Sequence, residues 1–390
     1  MSYDAEAVQL LVDLVSLDST NAHGTENAVA QAVAYYCQSQ GLNVRWQEVA
    51  PQRSNLIITM GENPRHTRPR LLFCGHMDTV PAGTTEWRRP PFSAEVVADV
   101  LFGRGASDMK SGVAAMTLMM ARLRELPGAE NWPIALLLTV GEEVDSIGAQ
   151  KYVEAYGVHD IGGLVIGEPT NSQVAIGHKG AAWWEIRCFG RTAHASTPSL
   201  GVNAINEALD AIEILNRVAA SSVFSKNDSV LGKGTLAVTR IEGGIQTNVI
   251  PDEAFFHVDM RYGNAHAYAQ FMALWQQALK HDLEGGNTGY RCEWRSLLNR
   301  APLLTQPTNP LIKRAQELVY ANADQWRTVS YYTDGSVLAA PAQIPTLIYG
   351  PGDDTLAHRP NESVSVSAYL SSIEFYYQLA RSYGLGQWQL

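Results

Sequence analysis

The chain has 390 residues, 46% apolar and 17% charged, with 9 Trp, 16 Tyr and 9 Phe. Hydrophobic cores stop growing at about 250–300 residues, so two domains are expected, and the aromatic content excludes global disorder. A net charge of −10 argues against a nucleic-acid partner or a basic membrane-surface role.

The predicted elements alternate at first. Val8–Val15 and Val29–Cys37 have helical spacing, and Arg70–Cys74 is a short apolar strand. Val100–Phe102 is strand-like, and beyond Asp108 the residues Met109, Val113, Met116, Met120 and Leu123 mark one helix face. Pro127 and Gly128 end that helix. Ile134–Val140 and Leu164–Ile166 are continuous apolar strands, which imply a mostly parallel sheet covered on both faces. The middle then changes to strand 182–189, helix 202–218, strands 235–241 and 254–261, helix 266–279 and strand 290–295. That β-α-β-β-α-β order is the split βαβ, ferredoxin-like unit. Helix 310–320, strand 346–349 and helix 365–383 resume the first pattern. The expectation is an α/β fold with a discontinuous catalytic domain, 1–178 and 297–390, and an inserted lid, 179–296.

Asp4, Glu6 and Asp13 interrupt the N-terminal apolar residues, unlike a secretory signal. The longest apolar runs fall far short of the ~20 residues that span a bilayer. Cys37, Cys74, Cys188 and Cys292 form no CxxC pair, so isolated, reduced thiols and a cytoplasmic location are expected.

In open α/β sheets, ligands bind beyond the carboxyl ends of the strands. Those ends carry Gly75-His76-Met77-Asp78, Gly103 to Asp108, Gly141-Glu142-Glu143, Gly167-Glu168-Pro169 and Gly350 to Asp354, followed by His358. Histidine plus carboxylate without thiolate suits zinc, with manganese or cobalt as alternatives. The excess of carboxylates favours two ions clamping a hydroxide and a carbonyl together. Adjacent side chains in extended structure point opposite ways, so one residue of Glu142-Glu143 is expected to bind metal and the other to act as general base. No GxSxG, HExxH or P-loop pattern occurs.

The stretches GHMDTVP (75–81), LFGRGASDMKSG (101–112), GEE (141–143), GEPT (167–170), GRTAHASTPSLGVNAI (190–205) and AHRPNE (357–362) resemble the co-catalytic zinc amidohydrolases and peptidases. That family includes acetylornithine deacetylase, succinyl-diaminopimelate desuccinylase, aminoacylase and glutamate carboxypeptidase. The resemblance implies His76 and Glu168 on one metal, Glu143 and His358 on the other, and Asp108 bridging, with a cis peptide after Asp108. It implies that Asp78 orients His76, that Glu142 is the general base and that His194 stabilises the oxyanion. Arg261 and Asn248 would bind a substrate carboxylate, and Lys179 matches a desuccinylase position more loosely. Thr333-Asp334-Gly335-Ser336 partly resembles a pocket segment of the desuccinylases.

The implied activity is metal-dependent hydrolysis of an N-acyl amino acid amide, the rival being a carboxypeptidase or dipeptidase. The implied partners are a small-molecule substrate and a second copy of the chain, joined through the lid. A catalytically dead binding homologue would lack one of these ligands or the base, and all are present. Trp183 and Trp184 are expected to pack inside the lid. His23, His66, His159, His178, His257, His266 and His281 are expected to be core or surface residues.

Overall fold

Apolar runs become buried strands here, and helical stripes cover them. A computed structural model describes residues 3–21, 25–61, 68–221, 224, 230–284, 291–320 and 325–390. The chain divides into two compact units. One comprises Met1–Gly177, Leu303–Val329 and Thr333–Leu390, the other His178–Pro302 and Ser330–Tyr332.

The first unit is built on a nine-stranded sheet. At its centre Ile134–Thr139, Arg70–His76, Ile161–Ile166 and Thr346–Ile348 run parallel side by side. Asn43–Ala50 and Arg53–Thr59 form an antiparallel hairpin that continues antiparallel onto Ile134–Thr139. Ala175–His178 adds an antiparallel strand at the other side. Leu71 and Phe73 join the core beneath helices Tyr3–Ser16, Asn27–Ser39, Ser111–Arg124 and Val366–Gly384. Leu72 and Leu137 are equally buried but point to the opposite face, as strand alternation requires. That two-sided burial is why these strands are apolar throughout. The Met109, Met116 and Met120 stripe is core, as expected.

The second unit has the expected β-α-β-β-α-β order. Its sheet runs Thr235–Gly243, Glu253–Tyr262, Gly180–Phe189, Arg291–Arg300, all antiparallel. Helices Ala204–Ser221 and Ala265–Glu284 pack Leu215, Phe271 and Trp275 onto Ile186, Phe256 and Val258. Strand Glu253–Tyr262 alternates between buried and partly exposed residues, the signature of a sheet covered on one face. The thiols differ from expectation in one respect. Cys188 and Cys292 are register partners on neighbouring strands, a juxtaposition their spacing in sequence conceals. Trp183 and Trp184 do pack within this unit, donating their indole N–H groups to Asp259 and Tyr268.

Candidate metal centre

Parallel register explains why the functional side chains converge. His76 is opposite Thr139, and Cys74 opposite Ile166. The strand continuations therefore deliver His76 and Asp78, Glu142 and Glu143, and Glu168 at one edge. Asp108 comes from the turn before helix Ser111–Arg124 and has non-helical φ −120°, ψ 98°. The Asp108–Met109 peptide is cis. His358 follows strand Thr346–Ile348 and takes φ +62°, a left-handed conformation uncommon for a residue with a Cβ.

Among the described residues, His76, Asp108 and Glu168 form one potential ligand group, and Asp108, Glu143 and His358 another. Within each group the donor atoms lie within 4.8 Å of one another. The two oxygens of Asp108 separate the groups. Oδ1 lies 3.1 Å from His76 Nε2, and Oδ2 lies 3.4 Å from His358 Nε2. His76 Nε2 is also 3.6 Å from Glu168 Oε1, and His358 Nε2 is 2.8 Å from Glu143 Oε2.

The donor chemistry fits divalent cations. Burial raises the carboxyl pKa values of Glu142, Glu143 and Glu168, and neighbouring carboxylates push them further. Burial opposes protonation of His76, but Glu168, Asp108 and Asp78 outweigh it and raise its pKa well above normal. His358, hydrogen-bonded to Asp108 and Glu143, is raised to about 10. So much buried negative charge calls for cations, and imidazole with carboxylate suits zinc or its neighbours. Cys74 is buried in the strand interior with its thiol pKa raised by burial, so the nearby sulfur does not resemble a thiolate ligand.

Two expectations need revision. His76 Nδ1 lies 3.0 Å from the backbone oxygen of Asp78, whereas the Asp78 carboxylate is 3.7 Å away. The imidazole is thus oriented by a carbonyl. The carboxylate instead accepts the N–H groups of Glu142 and Glu143, at 3.1 and 3.2 Å. Those residues are not extended but lie in a turn opened by Gly141 at φ +73°. Asp78 therefore organises the turn that presents the Glu142-Glu143 pair.

His194, Asn248, Arg261 and Lys179 belong to the second unit. His194 is exposed on a two-residue strand opposite Val249, beside Asn248. Arg261 donates to both oxygens of Asp259 at 2.7 and 2.9 Å and lies over the Tyr332 ring. Lys179 Nζ donates to the Lys233 carbonyl at 2.8 Å. Of the remaining histidines, His178 is buried, His257 pairs with Glu185 and His266 is exposed. His23, His66 and the side chain of His281 lie outside the described residues.

Several supporting residues lie in stretches that carry the family resemblance, but spacing assigns them no role. Lys110 is fully buried, donates to the carbonyls of Leu14 and Leu17, and has its ammonium pKa pushed down to about 7 by burial. Asp334 lies 2.6 Å from the Thr139 hydroxyl, next along the sheet from His76. Glu362 is buried against the turn that bears Asp108.

Known proteins share this architecture. A probable succinyl-diaminopimelate desuccinylase of Staphylococcus epidermidis is 26% identical, the match covering 97% of this chain and 98% of the relative. A probable carboxypeptidase of Talaromyces marneffei is 28% identical, over 94% of this chain and 83% of the relative. Among solved structures, an M20 family metallo-carboxypeptidase of Sulfolobus solfataricus superposes with a TM-score of 0.76 at 18% identity, covering 99% of this chain and 100% of its own. The sequence model of peptidase family M20/M25/M40 matches residues 72–382, a span holding every ligand of both groups, and the chain belongs to that family of hydrolases.

Proposed function

We propose that the chain is a dinuclear metal-dependent hydrolase that cleaves the amide of N-acylated amino acids, in the manner of a deacetylase or desuccinylase. The observation that carries this reading is the bridging geometry of Asp108, one oxygen toward each histidine. The ions are zinc, or cobalt or manganese in its place, held by His76, Asp108 and Glu168 and by Asp108, Glu143 and His358. When bound, they polarise the scissile carbonyl and acidify a water.

The chain's own residues do the rest. Glu142, buried and with its carboxyl pKa raised by burial and by Glu168, takes the proton of the attacking water and returns it to the leaving amine. Asp78 keeps that base in place through the turn amides. His194 donates to the developing oxyanion. Its Nδ1 is engaged by Ser196, whose N–H donates to it at 3.2 Å and whose hydroxyl lies 2.7 Å away, which leaves Nε2 for the oxyanion. Arg261, Asn248 and Lys179 hold substrate carboxylates, which suit a guanidinium fork. In this reading 1–178 and 297–390 are the catalytic domain and 179–296 the lid through which two copies pair, in the cytoplasm. No described helix is long and apolar enough to cross a membrane.

The second reading, a carboxypeptidase or dipeptidase, draws on the carboxypeptidase-named relative. The test is the zinc-loaded chain against N-acetyl, N-succinyl and N-carbamoyl amino acids and dipeptides, with and without chelator. Chelator-sensitive cleavage of an N-acyl amino acid is expected. Preference for dipeptides would shift the assignment to the second reading, and activity that survives chelation would refute both.

A further inference from the structure

We propose that Glu362 is a positioning residue for the metal pair, its buried carboxylate holding the bridging Asp108 in register with His358. This rests on the metal-dependent reading above and deepens it.

The segment bearing His358 runs antiparallel to the one leading to Asp108. Ser363 is opposite Phe102, Val364 opposite Leu101 and Ser365 opposite Val100. The Gly103 N–H extends this pairing to the Glu362 carbonyl at 2.9 Å. Backbone pairing ends there, and the Glu362 side chain continues it. Oε2 accepts from Arg104 Nη1 at 2.6 Å and from the Gly105 N–H at 3.1 Å. Oε1 accepts the N–H groups of Ser107 and Asp108, both at 2.9 Å. Four donors on two oxygens satisfy a carboxylate whose side chain is 1% exposed. The three amides form an anion-binding nest, which Gly105 opens at φ +81°.

Asp108 and Met109 depart from helical φ/ψ, so regular helix geometry does not fix Asp108. Its amide is held by Glu362, four residues beyond His358. One short segment therefore supplies both a ligand and the clamp on the bridging ligand, and it sets the 3.4 Å between Asp108 Oδ2 and His358 Nε2. His76 and Glu168 depend on a different support. Their strands pair directly, and the Gly167 N–H reaches the Cys74 carbonyl at 3.0 Å. Loss of the clamp should thus weaken the Asp108–Glu143–His358 ion far more than the His76–Asp108–Glu168 ion.

Cobalt titration of the metal-stripped full chain, by calorimetry with the visible cobalt spectrum, tests this in Glu362→Gln. The amide has nearly the same size but turns an NH₂ toward the N–H donors of Arg104 or the nest. The wild type should bind two ions. The variant should keep one ion within roughly threefold and lose about 10–100-fold on the other, the usual scale for groups that support metal ligands. A folded variant that binds both ions as the wild type does, or loses affinity equally for both, overturns the inference alone. A wild type that binds no cobalt overturns the metal reading and the inference together. If Glu362→Gln fails to fold by circular dichroism, Glu362→Asp, which keeps the charge on a shorter arm, is judged by the same criterion.

Discussion

Helix Ser111–Arg124 approaches the strand end bearing Glu168 so closely that only glycine fits at position 112. A Cβ there would lie 2.1 Å from the Gly167 carbonyl oxygen and 2.9 Å from its carbon, whereas side-chain carbons keep at least 3.0 Å. Gly112→Ala therefore forces the Gly167 backbone or the helix to move by about 1 Å, a distance set by van der Waals contact. Gly167 directly precedes Glu168, and metal–ligand distances tolerate only about 0.2 Å. Overpacking of this kind costs about 1–3 kcal/mol, or roughly 2–4 °C in Tm per kcal/mol for a unit of this size. The larger effect falls on the ion held by His76, Asp108 and Glu168, whose affinity should drop by about 10–100-fold. Zinc calorimetry and thermal unfolding of the stripped protein measure the two effects separately. Gly128→Ala is the control, because Gly128 has φ +79° with nothing within 4 Å of the added carbon. It should destabilise by about 1 kcal/mol through backbone conformation alone and leave ion binding intact. Wild-type affinity in Gly112→Ala, or an equal loss in Gly128→Ala, would refute the reasoning.

Glu142→Gln should keep both ions and lower kcat by about 10²–10⁴-fold, the range for a general base; turnover within a factor of a few of wild type would remove Glu142 from that role. His194→Ala should reduce kcat by about 10²–10³-fold at unchanged metal content, measured by steady-state kinetics alongside elemental analysis, and unchanged turnover would end its oxyanion assignment. His178 concerns stability rather than catalysis. Burial lowers its pKa to about 4, below the ~6.5 of an unfolded histidine. Between those values the unfolded chain binds a proton that the folded chain does not, so stability falls as pH drops from about 6.5 toward 4. At pH 5 the loss from this one residue is up to about 2 kcal/mol relative to pH 7. Urea unfolding of His178→Gln should show a shallower decline over that window, and an identical decline would rule the residue out as a cause.

The sequence by itself determined most of the element types and the candidate ligands of the proposed metal centre. A central strand covered on both faces reads as an unbroken apolar run, and Arg70–His76, Ile134–Thr139 and Ile161–Ile166 carry that signal locally. Since ligands gather at the carboxyl ends of such strands, His76, Asp108, Glu143, Glu168 and His358 were legible as candidates before their distances were known. The hairpin 43–59 and helix Ile147–Tyr156 were not. The hairpin's outer strand is half-exposed, and the helix buries only Gly148, Ala149 and Tyr152, too few apolar residues to mark a stripe. Tertiary structure alone decided which groups support the ligands. The Asp78 carboxylate accepts the amides of the Glu142-Glu143 turn, at shorter range than its 3.7 Å contact with the His76 imidazole, and Glu362 reaches the amide of Asp108, 254 residues away in sequence. Lys110 lies in the 101–112 stretch with no role assigned by sequence, yet it is sealed against the carbonyls of Leu14 and Leu17. A buried polar group must find a partner wherever folding brings one, and no local period records that choice. The net charge of −10 changes meaning accordingly, because part of it is the buried carboxylate cluster where the two ions are proposed to bind.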